Sequence, residues 1–213
     1  IHHIGRGVLS DMGGIYTLGV SPGTTVRYNL IHDIDSFSYG GWGIYTDEGS
    51  SNILIENNIV YNTKTGGFHQ HYGRENIVRN NIFAFSREDQ IVRSREEQHS
   101  SFTFERNIVY FNNGRLLGSN WGNGNYTIDY NVYWDSSNPH ITFAGMTFAD
   151  WKAKGRDQHS ILVDPLFANA DEFDFRLKPE SPVARVGFKP IDMSKTGLHG
   201  PTEWTSLPAA IKR

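Results

Sequence analysis

Five segments of this chain share the form apolar-x-x-Asn-apolar-apolar, at residues 26–31, 55–60, 78–83, 104–109 and 128–133. Their asparagines, Asn29, Asn58, Asn81, Asn107 and Asn131, recur at intervals of 29, 23, 26 and 24 residues. A period of that size is the signature of a chain that stacks one supersecondary unit on the next. A second track runs between the asparagines. Gly14-Ile15-Tyr16-Thr17 and Gly43-Ile44-Tyr45-Thr46 are near copies 29 residues apart. They are followed by Gly67-Phe68-His69-Gln70, Gln90-Ile91-Val92-Arg93-Ser94 and Arg115-Leu116-Leu117-Gly118-Ser119. Each repeat therefore holds at least two short strands with Gly-, Asn- and Ser-rich bends between them. No helical stripe precedes residue 140, and the Leu-x-x-Leu-x-Leu pattern of leucine-rich repeats is absent. These features predict an all-β solenoid of about five coils with parallel strands. Stacked coils lie ~4.8 Å apart. Asparagine side chains can hydrogen-bond along such a stack and tolerate αL geometry, so the recurrent Asn is read as structural.

Composition removes several classes. The chain has no cysteine, which excludes disulfides, thiolate zinc sites and a cysteine nucleophile. Lys+Arg 20 against Asp+Glu 23 gives a net charge of −3, without the clustered basic excess of a nucleic-acid binder. No apolar run approaches the ~18 residues of a membrane span. P-loop, dinucleotide and Gly-x-Ser-x-Gly motifs are absent. Ile1-His2 repeats Ile31-His32, so the chain is expected to open partway through the series. The expected organisation is coils over 1–137, a capping helix and strands over 138–189, and an arm over 190–213. Thr147 and Gly155 bracket a short helix with Phe148 and Trp151 on one face. A cap there closes the last coil.

The segments NNIVYN and RNNIFAF resemble right-handed parallel β-helix repeats of carbohydrate-active enzymes. LSDMGGIYTLG, GGWGIYTDEGSSNILIENNIVYNT, GGFHQHYG, VDPLF and FRLKPESPV are similar to the C-terminal half of enzymes grouped around glycoside hydrolase family 141. The resemblance implies a single-stranded right-handed parallel β-helix. It also implies catalysis by two acids on neighbouring coils, and Asp11 with Asp47 or Glu48 occupy the matching blocks.

Alternation along the strands sorts the remaining side chains. With Ile44 inward, two outward columns are expected: Tyr16, Tyr45, His69, Arg93, Gly118, and Leu18, Asp47, His71, Arg95, Asn120. Glu48 and Trp121 lie beside the second column, and Trp42 precedes it as a subsite wall. Aromatic rings stack on sugars, while Arg, His and Asp hydrogen-bond hydroxyls. The expected partner is therefore a carbohydrate polymer or oligosaccharide, held by Tyr16, Trp42, Tyr45, His69, His71, Arg93, Arg95, Asn120 and Trp121. Glycoside hydrolysis needs two carboxylates. Asp11 aligns with Gly40 and reaches Asp47 only if a bend at Gly13-Gly14 folds it back. His69 and His71 with Asp47 or Glu48 also have the composition of a two-His, one-carboxylate set, but no metal is assigned. The other histidines, His2, His3 and His32 among them, recur in bends or the tail and are given no chemistry.

The leading expectation is a glycoside hydrolase acting on a plant or algal polysaccharide or oligosaccharide, secreted or periplasmic, with no cofactor. A polysaccharide lyase or uronate epimerase is the alternative. It would use Tyr45, His71, Arg93 and Arg95, with calcium. A non-catalytic glycan-binding solenoid is the third.

Overall fold

The computed structural model describes residues 1–194 and 196–210; Lys195 and residues 211–213 of the expected arm lie outside the described residues. Three walls wind around one core. The first is a seven-stranded parallel sheet of His2–Ile4, Leu30–Ile34, Ile59–Thr63, Ile82–Ala84, Ile108–Phe111, Val132–Asp135 and Ile161–Leu162. The second has five parallel strands, Gly13–Thr17, Trp42–Thr46, Phe68–Gln70, Asp89–Arg93 and Arg115–Ser119. The third also has five, Thr25–Arg27, Leu54–Glu56, Asn76–Arg79, Phe102–Glu105 and Thr127–Asp129. Neighbouring strands in each wall come from successive coils, so the chain is a parallel β-helix, as the repeats predict.

The register follows the repeat motif. Val26, Ile55, Val78, Phe104 and Ile128 lie directly over one another. They point into a core shared with Ile31, Ile44, Phe68, Phe83, Ile91 and Val109. At the following corner the backbone enters the left-handed region at Tyr28, Asn57, Asn80, Arg106 and Tyr130, with φ between 52° and 57°. The αL residue is thus the one before the recurrent asparagine, which corrects the expectation that the asparagine itself takes that geometry. The asparagine amides have another task. Asn58 Oδ1 accepts the Asn29 backbone N–H at 3.1 Å and the Asn29 Nδ2 at 2.9 Å. Asn58 Nδ2 donates to the Val26 carbonyl at 2.9 Å and to Asn81 Oδ1 at 2.9 Å. The pattern repeats through Asn81, Asn107 and Asn131. The corner bends the backbone out of its ladder, and these amides satisfy the buried groups so exposed.

The helix after the last coil closes the stack, and Phe167, Phe175, Val183, Val186 and Phe188 beyond it cover the outer side of the first wall over Ile59, Ile82, Ile108 and Val132. The helix Phe148–Ala153 is capped by Thr147, whose hydroxyl accepts from the Asp150 N–H at 3.1 Å. Trp151 is fully buried against the last coil, and its Nε1 donates to Asp157 Oδ2 at 2.7 Å. Asp157 is itself buried. It also accepts from Ser160 at 2.5 Å, Tyr133 at 3.0 Å and Asn131 at 3.3 Å, and so terminates the asparagine ladder. Beyond it, Phe167–Asn169 and Asp174–Leu177 pair antiparallel.

Replacing Asn81 by Ala leaves the Asn58 backbone N–H, the Asn58 amide and the Ile55 carbonyl short of a partner in the interior. The expected loss is about 3 kcal/mol. The same change at Asn29, half-buried at the edge of the ladder, should cost about 1 kcal/mol. Urea unfolding of the two variants checks this; equal losses would contradict the ladder's role.

Candidate functional site

The outer face of the second wall carries most of the residues singled out by sequence. The pairing fixes three outward columns. The first runs Gly13, Trp42, Gly66, Asp89, Arg115. The second runs Tyr16, Tyr45, His69, Val92, Gly118. The third continues from it as Leu18, Asp47, His71, Ser94, Asn120.

One coil is therefore shifted from the expected alternation. Ile91, not Val92, stacks on Phe68 and faces the core. Val92 covers Trp42 and Tyr45 on the outside. Arg93, expected on the outer face, points inward and is fully buried. Its guanidinium donates to Ser101 Oγ at 3.1 Å, the Asn120 carbonyl at 3.1 Å and Asn123 Oδ1 at 3.0 Å. It lies 5.1 Å from the Tyr126 ring centroid and 3.9 Å from Glu96. The sequence misleads here because two apolar residues, Ile91 and Val92, stand side by side and only the ladder decides which is inside. Trp121 is likewise buried, packed on Phe102, Tyr126 and Trp151. Arg95 falls outside the third column, where Ser94 takes its place, and lays its guanidinium over the Tyr72 ring at 5.5 Å. Asn120 is exposed and donates to the Ser94 carbonyl at 2.8 Å.

The two aspartates converge. Tyr45 Oη donates to Asp11 Oδ1 at 3.3 Å. Asp47 lies near the same phenol and, after burial, helps push it up; its hydrogen bond comes from Tyr16, which donates to Asp47 Oδ2. The expected bend at Gly13-Gly14 is not the device that achieves this, since both glycines lie within the strand Gly13–Thr17. The turn is made by Asp11 itself, at φ 53°, and by Gly40 and Gly41 of the next coil, at φ 100° and 81°. The Asp11 N–H donates to the Tyr39 carbonyl at 2.9 Å, which locks Asp11 beside Gly40. Tyr39, unremarked in the sequence, is 60% exposed, and desolvation followed by the nearby Asp11 charge pushes its phenol up. Its position one residue before Gly40, in the coil after Asp11, was the available signal. Glu48 is exposed next to Asp47.

Burial divides the face into layers. Trp42, Tyr45 and His69 form an inner aromatic layer. Tyr45 and His69 stack at 4.6 Å, and Trp42 lies 4.4 Å from Tyr45 and 4.3 Å from His69. Trp42 fits because Gly66 leaves room: a Cβ there would come within 2.9 Å of its ring. Trp42 is thus a buried support rather than the exposed wall expected. Tyr16, 41% exposed, and Tyr39 are the rings that solvent or a ligand can touch. Burial, followed by the hydrogen bond and charge of Asp47, pushes the Tyr16 and Tyr45 phenols well up, so both remain donors through the neutral range.

His69 and His71 converge on Ser94. His69 Nε2 and His71 Nδ1 each lie 2.7 Å from its hydroxyl. His69 Nδ1 is buried and has no hydrogen-bond partner among the described residues. A bare lone pair is less costly to bury than an N–H, so the tautomer assigned to His69 carries its proton on Nε2. The chain then runs from His69 Nε2–H to Ser94 and from Ser94 Oγ–H to His71 Nδ1.

Residues 1–154 match the right-handed β-helix region family. The chain belongs to that family. A 146-residue stretch is 28% identical to the uncharacterized protein YwoF of Bacillus subtilis (strain 168), covering 65% of this chain and 27% of that protein. The chain thus spans about a quarter of the length of that curated relative. No solved structure matches the chain significantly. The fold of this family is found in glycosidases and lyases. No helix of the described residues is long and apolar enough to cross a membrane.

Burial, then the charge of His71, holds His69 down at about 3. A folded-state value below the ordinary 6.5 means that the unfolded chain binds the extra proton. Stability from this group is therefore complete above about pH 6.5 and falls as pH drops toward 3, with a slope of about 1.4 kcal/mol per pH unit. His69→Gln should remove that one-proton slope from the acid limb of a stability–pH curve. An unchanged slope would show that His69 titrates normally in the folded protein.

Proposed function

We propose that this face cleaves glycosidic bonds in a plant or algal polysaccharide or oligosaccharide, with Asp11 and Asp47 as the working pair. The observation that carries the reading is that these two carboxylates, from adjacent coils, accept from two touching phenols, Asp11 from Tyr45 and Asp47 from Tyr16, whose ring centroids are 4.8 Å apart. Glycoside hydrolysis requires one carboxyl group at the leaving oxygen and a second on the sugar's other side. Asp47 is buried, and its oxygens serve as acceptors for phenol donors, which suits a base or nucleophile. Asp11 is exposed beside Tyr39 and is placed to meet the leaving group. Tyr16 and Tyr39 offer faces for sugar rings, and Glu48, His71 and Asn120 offer hydrogen bonds to hydroxyls. The chemistry needs no cofactor, and a secreted or periplasmic location suits a polymer substrate.

One feature weighs against the lyase or epimerase alternative. Elimination from a uronate needs a cation at the developing enolate; Arg93 is turned into the core, and Arg95 lies over the Tyr72 ring, outside the column that carries Asp47. A purely glycan-binding face, the third reading, does not need both carboxylates held on touching phenols.

Reducing-end release from xylan, homogalacturonan, rhamnogalacturonan and alginate tests the proposal. Asp47→Asn and Asp11→Asn should each lower kcat on whichever polymer is cut by roughly 10²–10⁴-fold, with binding retained. Wild-type rates in both variants, or an ultraviolet-absorbing unsaturated product, would contradict it.

A further inference from the structure

The first wall carries a second cluster of chemistry-bearing side chains, on the strands His2–Ile4 and Leu30–Ile34. His2 pairs with His32, and His32 with Tyr61, on successive strands. The flanking register places His3 beside Asp33 and Asp33 beside Asn62. His3, Asp33 and Asn62 all take the left-handed conformation, at φ 56°, 53° and 51°. This bulge recurs at Phe85, so it belongs to the coil design. Its consequence is specific to these residues. In an extended strand His32 and Asp33 would face opposite sides. The left-handed residue breaks the alternation and brings both to the same side. There His32 Nδ1 lies 2.7 Å from Asp33 Oδ2, and His3 Nε2 lies 3.5 Å from that oxygen. The three donor atoms lie within 4.8 Å of one another.

We propose that His3, His32 and Asp33 bind a divalent ion of the zinc, cobalt or nickel kind. Two imidazoles and one carboxylate are the donor set such ions prefer. Donors bound at 2.0–2.2 Å in a tetrahedral site are about 3.3 Å apart; the two separations to Asp33, 2.7 and 3.5 Å, bracket that value, and the two imidazole donors lie within 4.8 Å of each other. The surrounding groups already hold the donors in orientation. Asn62 Nδ2 donates to the other oxygen of Asp33, Oδ1. His3 Nδ1 is engaged by His2 Nδ1 at 2.7 Å, which leaves Nε2 turned toward Asp33. The His32 ring is sandwiched between His2 and Tyr61, with centroids 4.8 Å away on each side and planes within 4° and 1° of parallel. Outer contacts of this kind fix ligand tautomer and aim. The ligands are half-buried, with side-chain exposures of 29%, 17% and 26%, which leaves a water to complete the shell. An ion held there joins the strand His2–Ile4 to the strand Leu30–Ile34 and stabilises the folded state by mass action.

Equilibrium dialysis of tag-free, chelator-stripped protein against cobalt(II), read by metal content and by visible ligand-field absorption, tests the site. The expected result is one cobalt per chain, displaceable by zinc, and a rise in Tm with zinc. His3→Gln and Asp33→Asn should each weaken binding at least tenfold and abolish the Tm rise, and Asn62→Ala should weaken it by roughly 10–100-fold. Should a ligand variant fail to fold, imidazole ¹⁵N shifts of the wild-type protein on zinc titration read the same contact. They should move at His3 and His32 and not at His69 or His71. No bound metal, undiminished binding in the His3→Gln/Asp33→Asn double variant, or shifts confined to His69 and His71 would overturn the proposal.

Discussion

The asparagine ladder is the interaction on which everything else in this molecule depends. A parallel coil must turn a corner at every repeat, and each corner leaves backbone groups in the interior without a strand partner. Asn29, Asn58, Asn81, Asn107 and Asn131 meet that need by bonding along the axis from one coil to the next. Because each amide serves both its own corner and its neighbour's, coils of 23 to 29 residues are held in one register despite their unequal lengths. A coil displaced by one residue would break three or four such bonds and turn its apolar set outward. Asp157 and Ser160 take over where the asparagines end, so the cap continues the same bonding pattern.

That register has chemical consequences on two walls. On the second wall it places Asp11 and Asp47, from different coils, around one phenol. It also builds an inner aromatic layer of Trp42, Tyr45 and His69 on which the polar groups rest. His69 is neutral because it is buried. It donates a fixed hydrogen bond to Ser94, whose hydroxyl in turn serves His71, and it keeps that role through the neutral range. On the first wall the same register, combined with a left-handed residue in each coil, brings histidines and an aspartate together. The scaffold thus presents residues distant in sequence side by side without any loop being long.

Much of this was legible in the sequence, for a definite reason. The repeat, the parallel coils, the capping helix and the inward set of the third wall all follow from apolar residues at fixed distances from Asn. The columns headed by Tyr16 and Leu18 were legible as far as His69 and His71, where one apolar residue per coil marks the inside. At Arg93 the sequence is ambiguous, because Ile91 and Val92 offer two apolar choices and only hydrogen bonding selects between them. Trp42 and Trp121 are buried by what neighbouring coils lay over them, which their own strands do not reveal. The bend that brings Asp11 to Tyr45 arises from a left-handed aspartate, a conformation that residue type permits but does not announce. The His3–His32–Asp33 cluster was signalled by the match of Ile1-His2 with Ile31-His32. The left-handed bulge that turns it into one group was not.

The central claim is that in-register coils assemble a two-carboxylate sugar site on the second wall. A crystal structure of the Asp47→Asn variant soaked with an oligosaccharide addresses it most directly. The account predicts a sugar ring against Tyr16 and Tyr39, with a glycosidic oxygen between the side chains at positions 11 and 47 and the Tyr45 hydroxyl within hydrogen-bond reach of both. A ligand seated on another wall, or residues 11 and 47 directed to separate surfaces, would contradict it.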